Sequence, residues 1–314
     1  MRFISSVMAR LWGVAGEGQK KTQKERTHYV EHQPPSTCSS IVAYATATGG
    51  KQRNQDYADD RCLDGCNVLT IADGLSGSQY SELAAKAAVE GFLRKITEVW
   101  KQNSTATIGR AEIREAYYTA HADIKKRAEQ EKKEKRSRSL NPQTTFIGII
   151  DLPDRFIFTY IGDGAIALFR ANTDEGAILH SSKSLLITHS VAGFLTRVLS
   201  ADGKLPKFGY MEVDKTLEGG EIVVAGTDGA LPLGSVLKTS QGILSDLKHA
   251  FQENREGFDR DTVRRLLLQK VEHEFTTDDN RTLGVILTND ALDSWWKEQQ
   301  REEKRQRGSS HAQE

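Results

Sequence analysis

The chain has 314 residues, enough for one large domain or two ordinary ones. Its 43 Lys plus Arg balance 43 Asp plus Glu, so no net field draws it to nucleic acid or to an anionic membrane surface. No run reaches the roughly 18 apolar residues of a membrane span, and three cysteines (Cys38, Cys62, Cys66) make no disulfide framework, which points to a reducing, cytoplasmic setting.

At the N-terminus, "MRFISSVMARLWGVAGEG" is interrupted by Arg10 and is too short and broken for a signal peptide. Residues 17 to 37 are polar, charged and close on a Pro pair, so residues 1–37 read as an extension and linker. The texture changes at Ser39. "SSIVAYATATGG" predicts a strand stopped by paired glycines, and "CNVLTIAD" a second, buried one. Cys62 and Cys66 flank that strand without a second Cys or His pair at matching spacing, so no zinc site is expected.

After Asp73 the small residues of "GLSGSQYSE" predict a loop, with Ser78 or Ser81 placed to cap a helix. Leu83, Ala84, Ala87, Ala88, Phe92, Ile96, Val99 and Trp100 follow at helical spacing. A second helix is expected from about Arg110, with Ile113, Tyr117, Ala120 and Ile124 on its apolar face, ending in a solvated run of Lys, Arg and Glu. Strands "TTFIGIID", "RFIFTYIGD" and "GAIALFR" come next, the first two joined by a turn at Pro153–Asp154. "EIVVAGTDG" and "RTLGVILTND" are further strands, with helical patterns between them at about 241–251 and 262–274. The tail from 290 to 314 predicts a terminal helix that docks through Trp295 and Trp296. Strict strand–helix alternation is absent, which argues for an α+β fold with antiparallel sheets.

Asp73, Asp163 and Asp228 each follow an apolar run and precede a glycine. Asp279 sits just before a strand, and Asp56 lies in "KQRNQD". One such aspartate is a turn signal. Several, at the ends of strands sharing a core, place carboxylates at one rim, where they must take up protons or bind a cation. An all-oxygen donor set without His or Cys favours a hard ion, Mg²⁺ or Mn²⁺.

In chain order, "KQRNQD", "IADGLSGSQYSELAA", "TTFIGII", "YIGDGAIALFR", "GFLTRVLS", "IVVAGTDGALPL" and "DDNRTLGVIL" resemble the type 2C metal-dependent Ser/Thr protein phosphatases in their bacterial form. The resemblance implies a domain over residues 38–289 built as a four-layer sandwich, two antiparallel sheets flanked by helix pairs. It implies two Mn²⁺ or Mg²⁺ ions, with a third, weaker one in bacterial members. Asp73 would bridge two ions and the Gly74 carbonyl would ligate one. Asp56 would hold metal-bound waters or ligate directly, Asp228 and Asp279 would hold the first ion, and Asp163 would help hold the third. The reaction implied is hydrolysis of phosphoserine or phosphothreonine esters by a hydroxide bridging the metals. Gln55 stands where many members have Glu.

Two departures matter. The substrate-phosphate arginine of the family is replaced by Lys51, which binds phosphate as a point charge without the guanidinium fork; Arg53, two residues on, is the lesser candidate. Gly164 and Ala165 stand where Ser-Arg is common, and Leu75 where eukaryotic members carry His. Residues 200–220 would be the variable flap, and His189 before it reads as an ordinary loop or sheet histidine. The expected protein is therefore an active monomeric phosphatase acting on phosphorylated proteins, with a cognate Ser/Thr kinase as a partner and no nucleic acid. The alternative is a catalytically weak or silent relative that binds phosphoproteins as a regulatory module.

Overall fold

The computed structural model describes residues 40–102, 108–135, 140–171, 176–181, 190–191, 194–195, 197–215, 220–232, 234–275 and 277–310. The strands run in chain order as β1 Ser40–Ala47, β2 Tyr57–Leu63, β3 Cys66–Ala72, β4 Gln143–Thr144, β5 Phe146–Asp151, β6 Arg155–Ile161 and β7 Ala165–Arg170. They continue with β8 Gly176–Ser181, β9 Ser190–Val191, β10 Phe194–Leu195, β11 Leu199–Ser200, β12 Gly209–Asp214, β13 Glu221–Gly226 and β14 Arg281–Thr288. The helices are α1 Ser81–Gln102, α2 Arg110–Lys135, α3 Val236–Glu253, α4 Arg260–Gln269 with a π-turn over Lys270–Glu274, and α5 Asn289–Ser310.

One sheet has the order β1-β14-β13-β7-β8 and the other β12-β6-β5-β3-β2, with antiparallel pairing throughout both. Three apolar cores separate four layers. Leu69, Ile149, Phe158, Val223 and Ile286 meet between the sheets. Phe92, Ile96, Tyr117 and Ile124 of α1 and α2 cover the outer face of the second sheet with Phe146 and Ile157. Ile243, Leu247, Val263, Leu267 and Trp295 of α3, α4 and α5 cover the first with Phe169 and Val285. Strands buried on both faces read as continuous apolar runs, and β3, β5, β13 and β14 are buried at every position. The expected α+β sandwich is the architecture observed.

The strands that sequence pattern misses are edges. In β2, Tyr57–Leu63, three of seven residues are charged, because it has one neighbour. Its Asp60 turns inward and pairs with the Arg260 guanidinium of α4 at 2.5 Å. β12 takes Gly209–Asp214 out of the expected flap and pairs it with β6, from Gly209 opposite Tyr160 to Asp214 opposite Arg155. Its half-exposed, polar pattern carries no strand signal on its own. Helix α1 begins at Ser81, and neither expected serine caps it. Ser78 Oγ donates to the Asn141 carbonyl, Ser81 is itself helical, and Tyr80 before it takes φ 60°. Cys62 is disulfide-bonded, against the expectation from cysteine count, while Cys66 is a free, buried thiol. His189 and residues 1–37 lie outside the described residues.

The tail helix docks as expected. Trp295 is 1% exposed and packs on Phe251 with ring centroids 5.9 Å apart. Lys248 of α3 pairs with Glu298 at 2.9 Å, and the Arg255 guanidinium lies 4.2 Å from the Trp296 ring centroid. Trp295→Ala should therefore cost about 3–5 kcal/mol in urea unfolding, and Trp296→Ala much less. Equal costs would show that the tail does not share the core.

Candidate active site and metal centre

Apolar strands from both sheets end at one rim, and the loops after them carry the acids. β3 delivers Asp73, the β6–β7 connection between the two sheets Asp163, β13 Asp228, and the approach to β14 Asp279. Asp56 precedes β2 and is 5% exposed. That connection turns through Gly162 (φ 92°) and Gly164 (φ 103°), a backbone that residues with a Cβ avoid. At Gly74 a Cβ would stand 2.6 Å from the Gln55 carbonyl oxygen and 2.8 Å from Ser81 backbone, so only glycine lets these segments approach.

Threonines lock this frame. The Asp73 carbonyl accepts from the Thr145 N–H and the Thr144 hydroxyl, each at 2.8 Å. Thr227 and Thr282 hydroxyls donate to Asp56 Oδ2 at 3.1 and 2.9 Å. Asn280 staples the Lys51 loop. Its amide donates to the carbonyls of Thr48 (2.9 Å) and Arg53 (3.0 Å), while its oxygen accepts from the Gln55 N–H (3.0 Å). Arg281, 7% exposed, holds the approach to β14 by donating to the Thr277 and Val271 carbonyls. Sequence reasoning missed these supports. Thr227 and Asn280 lie next to an acid in "GTDG" and "DDNRT", but Thr144 and Thr145 in "TTF" lie about 70 residues from the Asp73 they hold, with no local signal.

The carboxylates feel one another. Burial raises Asp73 well above the usual range, reinforced by Asp56 and Asp228. Asp73 and Asp56 are close enough for each to affect the other's proton affinity. Burial pushes Asp56 up to about 6 despite its donors. Burial and then Asp228 push Asp163 up to about 7, and burial and then Asp279 raise Asp228. All five predicted aspartates thus belong to one electrostatic group.

Lys51 joins them. Its ammonium bonds the Asp279 carboxylate and donates to Ser76 Oγ at 2.5 Å. Arg53 does not join. Its side chain is 77% exposed and leans to Glu82 on the first turn of α1, 3.7 Å away.

Among the described residues, no three acidic, His or Cys side chains close on one point as a finished metal cage. Asp279 is turned to Lys51, and Asp56 to Asp73 and the threonines. The donors nevertheless fit a hard divalent ion. They are all oxygen, and Asp56 Oδ1 and Asp228 Oδ1 are buried without a hydrogen-bond partner.

Residues 45–274 match the family model of protein phosphatase 2C, and the chain belongs to that family. No curated protein matches the sequence. Among solved structures, PppA, a key regulatory component of T6SS in Pseudomonas aeruginosa, is 16% identical with a TM-score of 0.54, covering 80% of this chain and 99% of its own. The S. agalactiae serine/threonine phosphatase is 17% identical, with TM-score 0.54 and coverage of 80% and 100%. The catalytic domain of the serine threonine protein phosphatase PstP, in complex with 2 manganese ions, is 18% identical, with TM-score 0.52 and coverage of 79% and 97%. These likenesses are to bacterial members of the family and show the same fold.

Proposed function

We propose that this protein is a Mn²⁺- or Mg²⁺-dependent phosphatase that hydrolyses phosphoserine and phosphothreonine esters in proteins. The observation that carries this reading is the gathering of Asp56, Asp73, Asp163, Asp228 and Asp279 at one rim, with unpartnered buried oxygens on two of them. The family and the naming of its relatives as serine/threonine phosphatases support the substrate class. Asp73, the Gly74 carbonyl, Asp228 and Asp279 would hold two ions, with Asp56 beside them and Asp163 at a third. When bound, such ions lower the pKa of a shared water and offset charge on the phosphoryl oxygens.

The chain's own part is positioning. Thr144 and Thr145 fix the Asp73 backbone, Thr227 and Thr282 orient Asp56, and Asn280 and Ser76 hold the loop and ammonium of Lys51. Lys51 would contact the substrate phosphate as a single charge. The cytoplasm as its location, a Ser/Thr kinase as its partner, a monomeric state, and a phosphatase domain at 38–289 between an N-terminal extension and the tail belong to the same reading. None of the described helices is long and apolar enough to cross a membrane.

The substitution of lysine for arginine, with Lys51 held on Asp279, favours the second reading, a weak or silent phosphoprotein-binding relative. Hydrolysis of p-nitrophenyl phosphate and of a phosphothreonine peptide by the full chain separates the two. Turnover should depend on excess Mn²⁺ and vanish with chelator. Lys51→Ala should lower kcat/KM on the peptide by roughly tenfold or more, and Arg53→Ala by less than about twofold. Peptide binding without turnover at any Mn²⁺ concentration would establish the second reading instead.

A further inference from the structure

The Lys51 ammonium has a choice of partners. Its loop is anchored at both sides, by the Asn280 amide on the Thr48 and Arg53 carbonyls, and by the Lys51 N–H on the Thr48 carbonyl at 3.2 Å. The side chain then reaches Ser76 Oγ on the Asp73 loop and the Asp279 carboxylate before β14. It is 27% exposed and Asp279 is 40% exposed, so the pair sits at the mouth of the acidic rim. Its charge is also felt by Asp228 behind. Gly49 makes this placement possible. Its φ is 60°, and a Cβ there would stand 2.0 Å from the Asp279 carbonyl oxygen. The Lys51 loop is therefore seated directly on the segment that carries Asp279.

A carboxylate cannot give its full charge to an ammonium and to a divalent ion at once. We infer that Lys51 is a built-in counter-cation, competing with the divalent ion for Asp279, so that metal binding releases its ammonium, still tethered at Ser76, toward the substrate phosphate. This rests on the metal-phosphatase reading above, but adds to it a coupling between the two halves of the site. A flexible four-carbon stem ending in a compact charge with three donors can change partner without moving the loop. Asn280 holds that loop whether or not the ammonium stays on Asp279. Asp279 keeps a backbone partner of its own, accepting from the Asn280 N–H at 2.8 Å, so its carboxylate stays aimed when Lys51 leaves. By linkage, whatever Lys51 contributes on Asp279 is subtracted from metal affinity.

Equilibrium dialysis of Mn²⁺ against the full chain tests this without an activity readout. Lys51→Ala and Lys51→Met should bind Mn²⁺ about five- to a hundredfold more tightly than the natural chain, the usual span of such couplings. Without metal both variants should melt earlier, and Mn²⁺ should raise their Tm by more than it raises that of the natural chain. Arg53→Ala removes an equal charge nearby without touching Asp279, and should leave Mn²⁺ affinity within about twofold. Unchanged or weaker Mn²⁺ binding in both Lys51 variants overturns the competition while leaving the metal reading intact. A tightening equally large in Arg53→Ala also overturns it, since general charge would then be the cause. Failure of the natural chain to bind Mn²⁺ at all would overturn the phosphatase reading and this inference together.

Discussion

Asp73→Asn should abolish Mn²⁺-dependent hydrolysis, by at least about a hundredfold in kcat/KM, while leaving the protein folded. The loss follows from the position of Asp73 among the other carboxylates. It faces Asp56 and feels Asp228 and Asp163, so it interacts with three of the other four carboxylates. Its backbone is held independently of its side chain, through the Thr145 N–H and Thr144 hydroxyl on its carbonyl. Asparagine keeps the size, and its amide can donate to Asp56, while removing one charge from a crowded buried rim. Without metal the variant should therefore be at least as stable as the natural chain in urea. Retention of most Mn²⁺-dependent turnover would remove Asp73 from the metal centre.

The second large effect is on stability as a function of pH. Without metal, the protein should lose stability as pH rises from about 5 to 8. Asp56 is pushed up to about 6 and Asp163 to about 7, and Asp73 and Asp228 are raised too, each first by burial. A carboxyl raised in the folded state holds its proton more tightly there than in the unfolded chain. Its stabilising contribution is complete below its unfolded value and is lost as pH rises through the folded one. For Asp56, moving from 3.8 to about 6 corresponds to roughly 3 kcal/mol. Asp60, also pushed up to about 6 by burial, lies off the rim beside Arg260 and adds to the same slope. Saturating Mn²⁺ should shrink or reverse the dependence, because divalent ions bind deprotonated carboxylates. Urea midpoints between pH 5 and 8, with chelator and with Mn²⁺, read this directly. Identical slopes in both would mean that no ion binds at the rim.

Much of this was legible along the chain because it is local. Continuous apolar runs gave β3, β5, β13 and β14, and the 3.6-residue spacing of Ile113, Tyr117, Ala120 and Ile124 gave the buried face of α2. Aspartates placed before glycines at strand ends marked the rim before any contact was known. Edge strands β2 and β12 were not legible, since a strand with one neighbour tolerates charge and exposure. The threonine and asparagine supports were equally hidden. A hydroxyl beside an acid is ordinary in a turn, and only its distance to Asp56 or to the Asp73 carbonyl gives it a role.

The sequence by itself determined the antiparallel α+β class, the family, and which carboxylates gather, because burial patterns and strand-end turns are written in neighbouring residues. Only the tertiary structure shows how differently Lys51 and Arg53 are placed. Two residues apart on one loop, both carry a cation, and sequence position alone already put Lys51 ahead of Arg53. Anchoring of that loop by Asn280 sends Lys51 to Asp279 and Ser76, and leaves Arg53 exposed beside Glu82. That outcome depends on residues more than 220 positions apart meeting at one rim, which no local pattern encodes.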